Sequence, residues 1–238
     1  MSQTDKAMTR LREMIQSGEL PPGSRLPPEQ QLAADLGVGR NIMREAVRAL
    51  VAARVLEVRR GNGTFVTSLE PRLLLQGISG AVELLRGETM LELTEVRRLF
   101  ESAATGLAAT RISPEQLAEV RGHLEAMRAA ADDVELLNQH DAAFHRAVVA
   151  ATGNETLTSL LDGLSGRTVR ARVWRGLIEG NAAHITLDEH RAIYRALRSR
   201  DQALAYASAL VHVNTSESWL RAVLADRSAD AAQGPADI

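Results

Sequence analysis

One stretch of the chain, Arg25 to Val66, permits few folds. Apolar residues recur at helical spacing through Leu26, Leu32, Ala33 and Leu36, break around Asp35-Leu36-Gly37-Val38-Gly39, and resume from about Arg40 to Ala53 with Ile42, Ala46, Val47 and Leu50 on one side. Gly37 and Gly39 suit a tight turn, because a residue without Cβ accepts backbone angles that others resist. Two short strand-like segments follow, joined through Gly61-Asn62-Gly63. Two helices, a turn and a two-stranded wing form the layout of a winged helix-turn-helix, whose second helix enters the major groove of DNA. Arg40, Asn41, Arg44 and Arg48 fall opposite the apolar residues of that helix. Arg40 and Arg44 stand one turn apart at its N-terminal end, where a recognition helix touches base edges. Like charges at this spacing repel in water, whereas both are useful against phosphates or guanine edges. The plainer alternative is a solvated helix face.

Charge is divided along the chain. Residues 1–66 hold 10 Lys+Arg and 7 Asp+Glu, a net +3; the remainder holds 18 and 23, a net -5. A mildly basic end beside an acidic body suits a DNA reader joined to something that does not touch DNA. The absence of cysteine excludes disulfides, thiol catalysis and Cys-ligated zinc. Neither a signal-peptide pattern nor a membrane-length apolar run is found, so no membrane partner and a cytoplasmic location are expected.

Beyond Thr67 strand signals stop. Helices are expected at about 71–86, 90–110, 114–131, 133–151, 155–178, 184–199 and 201–225, punctuated by Gly87, Ser113-Pro114, Asp132, Gly153-Asn154, Gly180-Asn181 and Asp201. The expected fold class is mostly α: an N-terminal winged helix-turn-helix at 1–68 with a small β wing, and a C-terminal all-α bundle of about seven helices at 69–226. Residues 227–238 lack periodicity and are expected to be disordered.

Placed on helical wheels, several polar residues of the bundle point inward. Asp141 and His145, one turn apart, share the apolar face of Leu137, Phe144 and Val148. His190 points with Leu187, Ile193 and Leu197, and His212 sits among Ala205, Ala209 and other small residues. Three His and one Asp from three helices could form a divalent-metal site, with zinc first and nickel, manganese or iron also suited to imidazole and carboxylate ligands. The alternative is a set of core histidines bonded to backbone carbonyls. His123 lies at the rim of the Leu117/Val120/Leu124/Met127 stripe, His140 points off the Asp141 face and His184 precedes a helix; none receives a role.

Specific motifs carry a resemblance to a known family. Pro22-Gly23-Ser24-Arg25-Leu26-Pro27, Gln31-Leu32-Ala33, Gly37-Val38-Gly39-Arg40, Arg44-Glu45-Ala46-Val47 and Arg60-Gly61-Asn62-Gly63-Thr64-Phe65-Val66 resemble the signature of GntR-type regulators. The resemblance implies that Arg25, Arg40, Asn41, Arg44, Arg60 and Gly61 face DNA, with Gly61 at the wing tip beside the minor groove. Two positions depart from the pattern: Gln30 replaces a frequent Arg, and Gly39 replaces a Ser or Thr that would cap the recognition helix. Glu95 to Glu101, Asp141-Ala142-Ala143-Phe144-His145, Ala151-Thr152-Gly153-Asn154 and Asp188 to Ile193 resemble the FadR-type ligand-binding domain, called FCD. Many members bind a metal through one Asp and three His, which correspond to Asp141, His145, His190 and His212.

Arg97 lies at the edge of its helix's apolar face and, with the resemblance, is expected to clamp an effector carboxylate; the alternative is an Arg97–Glu101 pair on a half-exposed face. The expected protein is a homodimeric transcriptional repressor of a palindromic operator, controlled by a small organic acid at the metal site. Two other readings are a sensor of the metal ion itself and a metal-dependent hydrolase. The latter is disfavoured because no inward carboxylate stands out as a general base.

Overall fold

The computed structural model describes residues 2–82, 84 and 89–233. The chain divides into two units, Met1–Gly77 and Ile78–Ile238.

The first unit holds helices α1 (Gln3–Gln16), α2 (Glu29–Asp35), α3 (Arg40–Ala52) and α4 (Pro71–Leu74), with strands β1 (Leu56–Arg59) and β2 (Gly63–Val66). Helix α1 was not expected. Ser2 caps it reciprocally with Asp5, and Ala7, Leu11 and Met14 bury one face. That face joins Leu32, Met43, Ala46, Val47 and Leu50 in the core of the unit. Two details of the expected helices change. Leu26 is buried but precedes α2, beside the Arg25–Phe65 bridge, because Pro27 and Pro28 hold that segment extended. Met43 rather than Ile42 points fully into the core, with Ile42 partly buried against it. Gly37 uses its freedom at φ +64, but Gly39 has an ordinary φ of -67 and caps α3 without any side-chain bond. The strands pair antiparallel, Leu56 with Val66 and Arg59 with Gly63.

Helix α5 (Gln76–Val82) begins two residues before the division, and the second unit holds the rest of it with α6 (Thr89–Arg111), α7 (Pro114–Ala129), α8 (Val134–Ala150), α9 (Glu155–Ile178), α10 (Ala182–Ser199) and α11 (Gln202–Gln233). The helix expected at 71–86 is broken at Leu75, which ends α4; Gly87 lies outside the described residues. Helix α11 runs past the expected end at 225, through Gln233, because Ala- and Asp-containing sequence there includes no Gly or Pro before Gly234. Residues 234–238 lie outside the described residues.

Local sequence fixes the other boundaries. Ser113 and Gln116 form a reciprocal cap with Pro114 in the first turn, and the Asp133, Asn154 and Asp201 side chains accept from the opening N–H groups of α8, α9 and α11. The main core packs Phe144, Val148, Ile193 and Leu197 against Ala108, Ile112 and Met127. Helices α8, α10 and α11 each pack against α6, and α10 packs against α11.

Candidate metal centre and DNA-facing surface

The inward polar residues meet at one point. Asp141 and His145 come from α8, His190 from α10 and His212 from α11, with one potential ligand atom of each within 4.8 Å of the others. Exposure is 0% for Asp141, 9% for His145, 0% for His190 and 2% for His212, so water does little to satisfy them. His145 Nε2 lies 3.1 Å from His212 Nε2 and 3.2 Å from His190 Nε2. Asp141 Oδ1 is 3.0 Å from His190 Nε2 and 3.5 Å from His145 Nε2.

The opposite edge of each ring decides what these contacts mean. His145 Nδ1 is 2.6 Å from Glu101 Oε1, His190 Nδ1 is 2.7 Å from the Thr186 carbonyl, and His212 Nδ1 is 2.8 Å from Glu189 Oε2. Each Nδ1 faces an oxygen acceptor and therefore carries the hydrogen, which leaves the Nε2 lone pair aimed at the cluster. Three such lone pairs and a carboxylate directed at one point repel unless a cation or a proton sits among them. Two nitrogen ligands held about 2.05 Å from one ion at tetrahedral angles lie about 3.3 Å apart. The observed separations match that spacing, and the acceptors behind the rings are the outer partners that metal-bound imidazoles ordinarily have. The donor set fits a divalent ion.

Electrostatics agree. Burial opposes a charged imidazole at His145, but Glu101 and Asp141 outweigh it and raise the group to about 8. Burial, together with His190 and His145, pushes His212 well below the ordinary imidazole range. The proton of a metal-free cluster near neutral pH therefore sits on His145, in the ion's place. For Glu101, burial again opposes charge, yet Arg97 and His145 prevail and hold the carboxyl well below its usual range. Burial is the main cause of the raised Glu189 carboxyl, whose other oxygen accepts from Thr215.

Arg97 is 2% exposed, deeper than its wheel position implies, and donates through Nε (3.0 Å) and Nη2 (2.7 Å) to Glu101 Oε2. The pair named as the alternative is thus formed, but buried rather than half-exposed, and it continues through Glu101 to His145. No inward carboxylate is expected to stand out as a general base, but two further carboxylates lie beside the site. These are Glu101 and Glu189, brought there by α6 and by the turn of α10 beside α11. Each is occupied with an Nδ1 group rather than aimed at the ligand point.

A cavity of about 450 Å³ opens beside the cluster, lined in part by Glu101, Asn138, Ala142, His145, Leu161 and Asp162. A smaller one of about 100 Å³ is lined by Leu137, Asn138, Arg175, Thr186 and Ser216 among others. Arg97 lines neither. Sequence reasoning missed Glu101 as a partner of His145, as well as Glu189 and Arg175. Only Glu101 had a local signal, its helical spacing from Arg97.

In the first unit Arg25, Arg40, Asn41, Arg44, Arg60 and Gly61 are all exposed. Gly61 turns the wing with φ +73. Arg25 lies across Gly63, where an added Cβ would stand 2.9 Å from its Nε. Arg44 Nε donates to Glu29 Oε2 at 3.3 Å between half-exposed side chains, a weak pair easily exchanged for a phosphate or a base. Arg59 stacks 4.2 Å over Phe65 and stiffens the wing.

Comparison with known proteins agrees with this architecture. Residues 3–66 match the profile described as bacterial regulatory proteins, gntR family, and residues 92–215 match the FCD domain. The chain is 33% identical over 212 residues to the HTH-type transcriptional regulator LutR of Bacillus subtilis, covering 87% of this chain and 96% of that protein. It is 32% identical over 231 residues to the galactonate operon transcriptional repressor of Escherichia coli, covering 94% and 99%. The solved structure of a GntR protein of Streptococcus agalactiae superposes with a TM-score of 0.62 at 30% identity, covering 90% and 98%. Among the described residues no helix is long and apolar enough to cross a membrane. The chain belongs to the GntR family of DNA-binding transcriptional regulators, with an FCD domain behind its winged helix-turn-helix, and is a regulator rather than an enzyme.

Proposed function

We propose that the protein is a cytoplasmic, homodimeric repressor whose grip on a palindromic operator is loosened by a small carboxylate metabolite. The observation that carries this reading is the convergence of His145, His190 and His212 Nε2 with Asp141 beside a cavity of about 450 Å³. Those four residues would hold a divalent ion, zinc before nickel, manganese or iron, and the ion would supply a Lewis-acidic position for one effector oxygen. Glu101, Thr186 and Glu189 keep the three rings in the tautomer that ligation needs. Arg97 serves as the second anchor for the effector carboxylate, in competition with Glu101 for its N–H groups. A relative named for galactonate, itself a hydroxy acid, is consistent with an acid signal.

The acid acts by differing affinity for DNA-competent and DNA-released states, which lowers operator affinity by the same factor. Arg25, Arg40, Asn41, Arg44, Arg60 and Gly61 make the DNA contacts. Two copies are needed because one short recognition helix reads only a few base pairs. The test is metal analysis of the purified protein with operator titrations in the presence of candidate acids, for wild type and His190→Ala. Stoichiometric metal, with acid-dependent operator release that disappears in the variant, supports the proposal. Operator binding that follows buffered metal concentration without any acid favours a metal sensor instead.

A further inference from the structure

Arg175, on α9, is 6% exposed and lines the smaller cavity. Its Nε donates to Glu179 Oε2 at 2.7 Å, and among the described residues its two Nη groups make no hydrogen bond. Glu179 is its carboxylate partner at Nε, but that side chain is 39% exposed, so the Nη fork is free to take a second, buried acceptor from the cavity.

The position of that cavity within the bundle gives the partner a shape. Leu137 lies four residues before Asp141 on α8, Thr186 four before His190 on α10, and Ser216 four after His212 on α11. The cavity is thus the layer one helical turn from the ligand layer on all three ligand-bearing helices, a displacement of about 6 Å. Asn138 lines both this cavity and the larger one, so the two adjoin. Helix α9 closes the layer at Gly176, where an added Cβ would stand 2.9 Å from Val134 Cγ1; this close approach holds Arg175 over the space.

The structure assigns Arg175 as the residue that recognises a second carboxylate of the effector, which makes the ligand class a short dicarboxylate of about four or five carbons. This deepens the effector reading proposed above and rests on it. One carboxylate takes the open position at Asp141, His145, His190 and His212, and the other reaches the Nη groups of Arg175, with Thr186, Ser216 and Asn138 beside it. The volume of about 100 Å³ matches roughly three waters, enough for a carboxylate and its adjoining carbon. Glu179 and Glu189 nearby disfavour the greater charge of a phosphate.

The test is calorimetric titration of the metal-loaded full-length protein with acetate, lactate, succinate, malate and phosphoglycolate, repeated with Arg175→Gln, Arg175→Lys and Ser216→Leu. Metal stoichiometry and operator binding are measured in parallel on every variant. Succinate and malate are expected to bind wild type at least tenfold tighter than acetate. That preference should vanish in Arg175→Gln and in Ser216→Leu, which fills the cavity from α11. It should be only partly kept in Arg175→Lys, while metal content and acetate binding are unchanged. Equal binding of dicarboxylates to wild type and Arg175→Gln overturns the assignment of Arg175 and leaves the effector reading standing. Tighter binding of phosphoglycolate than of succinate overturns the carboxylate assignment. No response of wild type to any acid overturns the effector reading and this inference with it.

Discussion

Glu101→Gln separates two jobs that one side chain performs. Glu101 Oε2 accepts two bonds from Arg97 while Oε1 holds His145 Nδ1 at 2.6 Å, all at 4% exposure. Replacing the carboxylate with an amide removes the charge that orients His145 and makes its ring a better ligand. Loss of such an outer partner typically weakens metal binding by about 10–100-fold, or about 1.4–2.7 kcal/mol. The same change leaves the Arg97 guanidinium buried without a counter-charge, which typically costs about 3–5 kcal/mol of folding stability. The two effects have different remedies. Adding Arg97→Met removes the stranded charge and should recover most of the stability, but not the metal affinity. A chelator-competition titration and urea unfolding, run on wild type, both single variants and the double, complete the cycle. Metal affinity of Glu101→Gln within twofold of wild type would refute the argument. So would recovery of metal affinity in the double variant.

Three further outcomes are expected. Arg44→Ala should weaken specific operator binding by about 1–3 kcal/mol and relax discrimination at one position per half-site, read by titrating matched and singly mismatched duplexes; unchanged binding removes α3 from the groove. Metal uptake should release a proton at pH 7, because His145, raised to about 8, is protonated in the metal-free protein and must lose that proton to ligate. Apparent affinity then rises by about tenfold per pH unit below that value and levels above it, and binding heats should scale with buffer ionisation enthalpy; heats independent of buffer contradict the placement of the proton. Met43→Ala should destabilise the DNA-binding unit by about 2–5 kcal/mol, since Met43 is 0% exposed in its core, as measured by thermal unfolding of that unit's transition.

The DNA-binding unit was largely legible because its information is local. A turn glycine at φ +64, a helix with one apolar side and a glycine-turned wing each announce themselves within a dozen residues. Helix α1 is equally local, with its Ser2–Asp5 cap and Ala7/Leu11/Met14 face, although it stands outside the winged helix-turn-helix pattern that Arg25 to Val66 carries. The inward convergence of the four candidate ligands was readable because a polar residue on an apolar stripe contradicts the pattern around it. Their partners were not. Glu101 and Arg97 look like an ordinary surface pair at i, i+4, and only the packing of α6 against α8 buries them. Glu189 neighbours Asp188, which is exposed, and nothing local says that α11 will bring His212 to it. Arg175 belongs to a helix with weak amphipathicity, so its inward direction depends on the close approach at Gly176.

The carboxylates around the histidines have a consequence for the order in which signals are heard. Asp141, Glu101 and Glu189 surround the cluster, and Arg97 is the guanidinium paired among them, so without an ion the site repels an incoming acid. A divalent ion, even after displacing the His145 proton, cancels that excess of negative charge and would offer the acid a Lewis-acidic position. On the proposed reading, acid and ion are inputs to a conjunction: neither is registered alone, and each raises the occupancy of the other by the same factor. A cell starved of the ion would keep the operator shut however much of the acid accumulated.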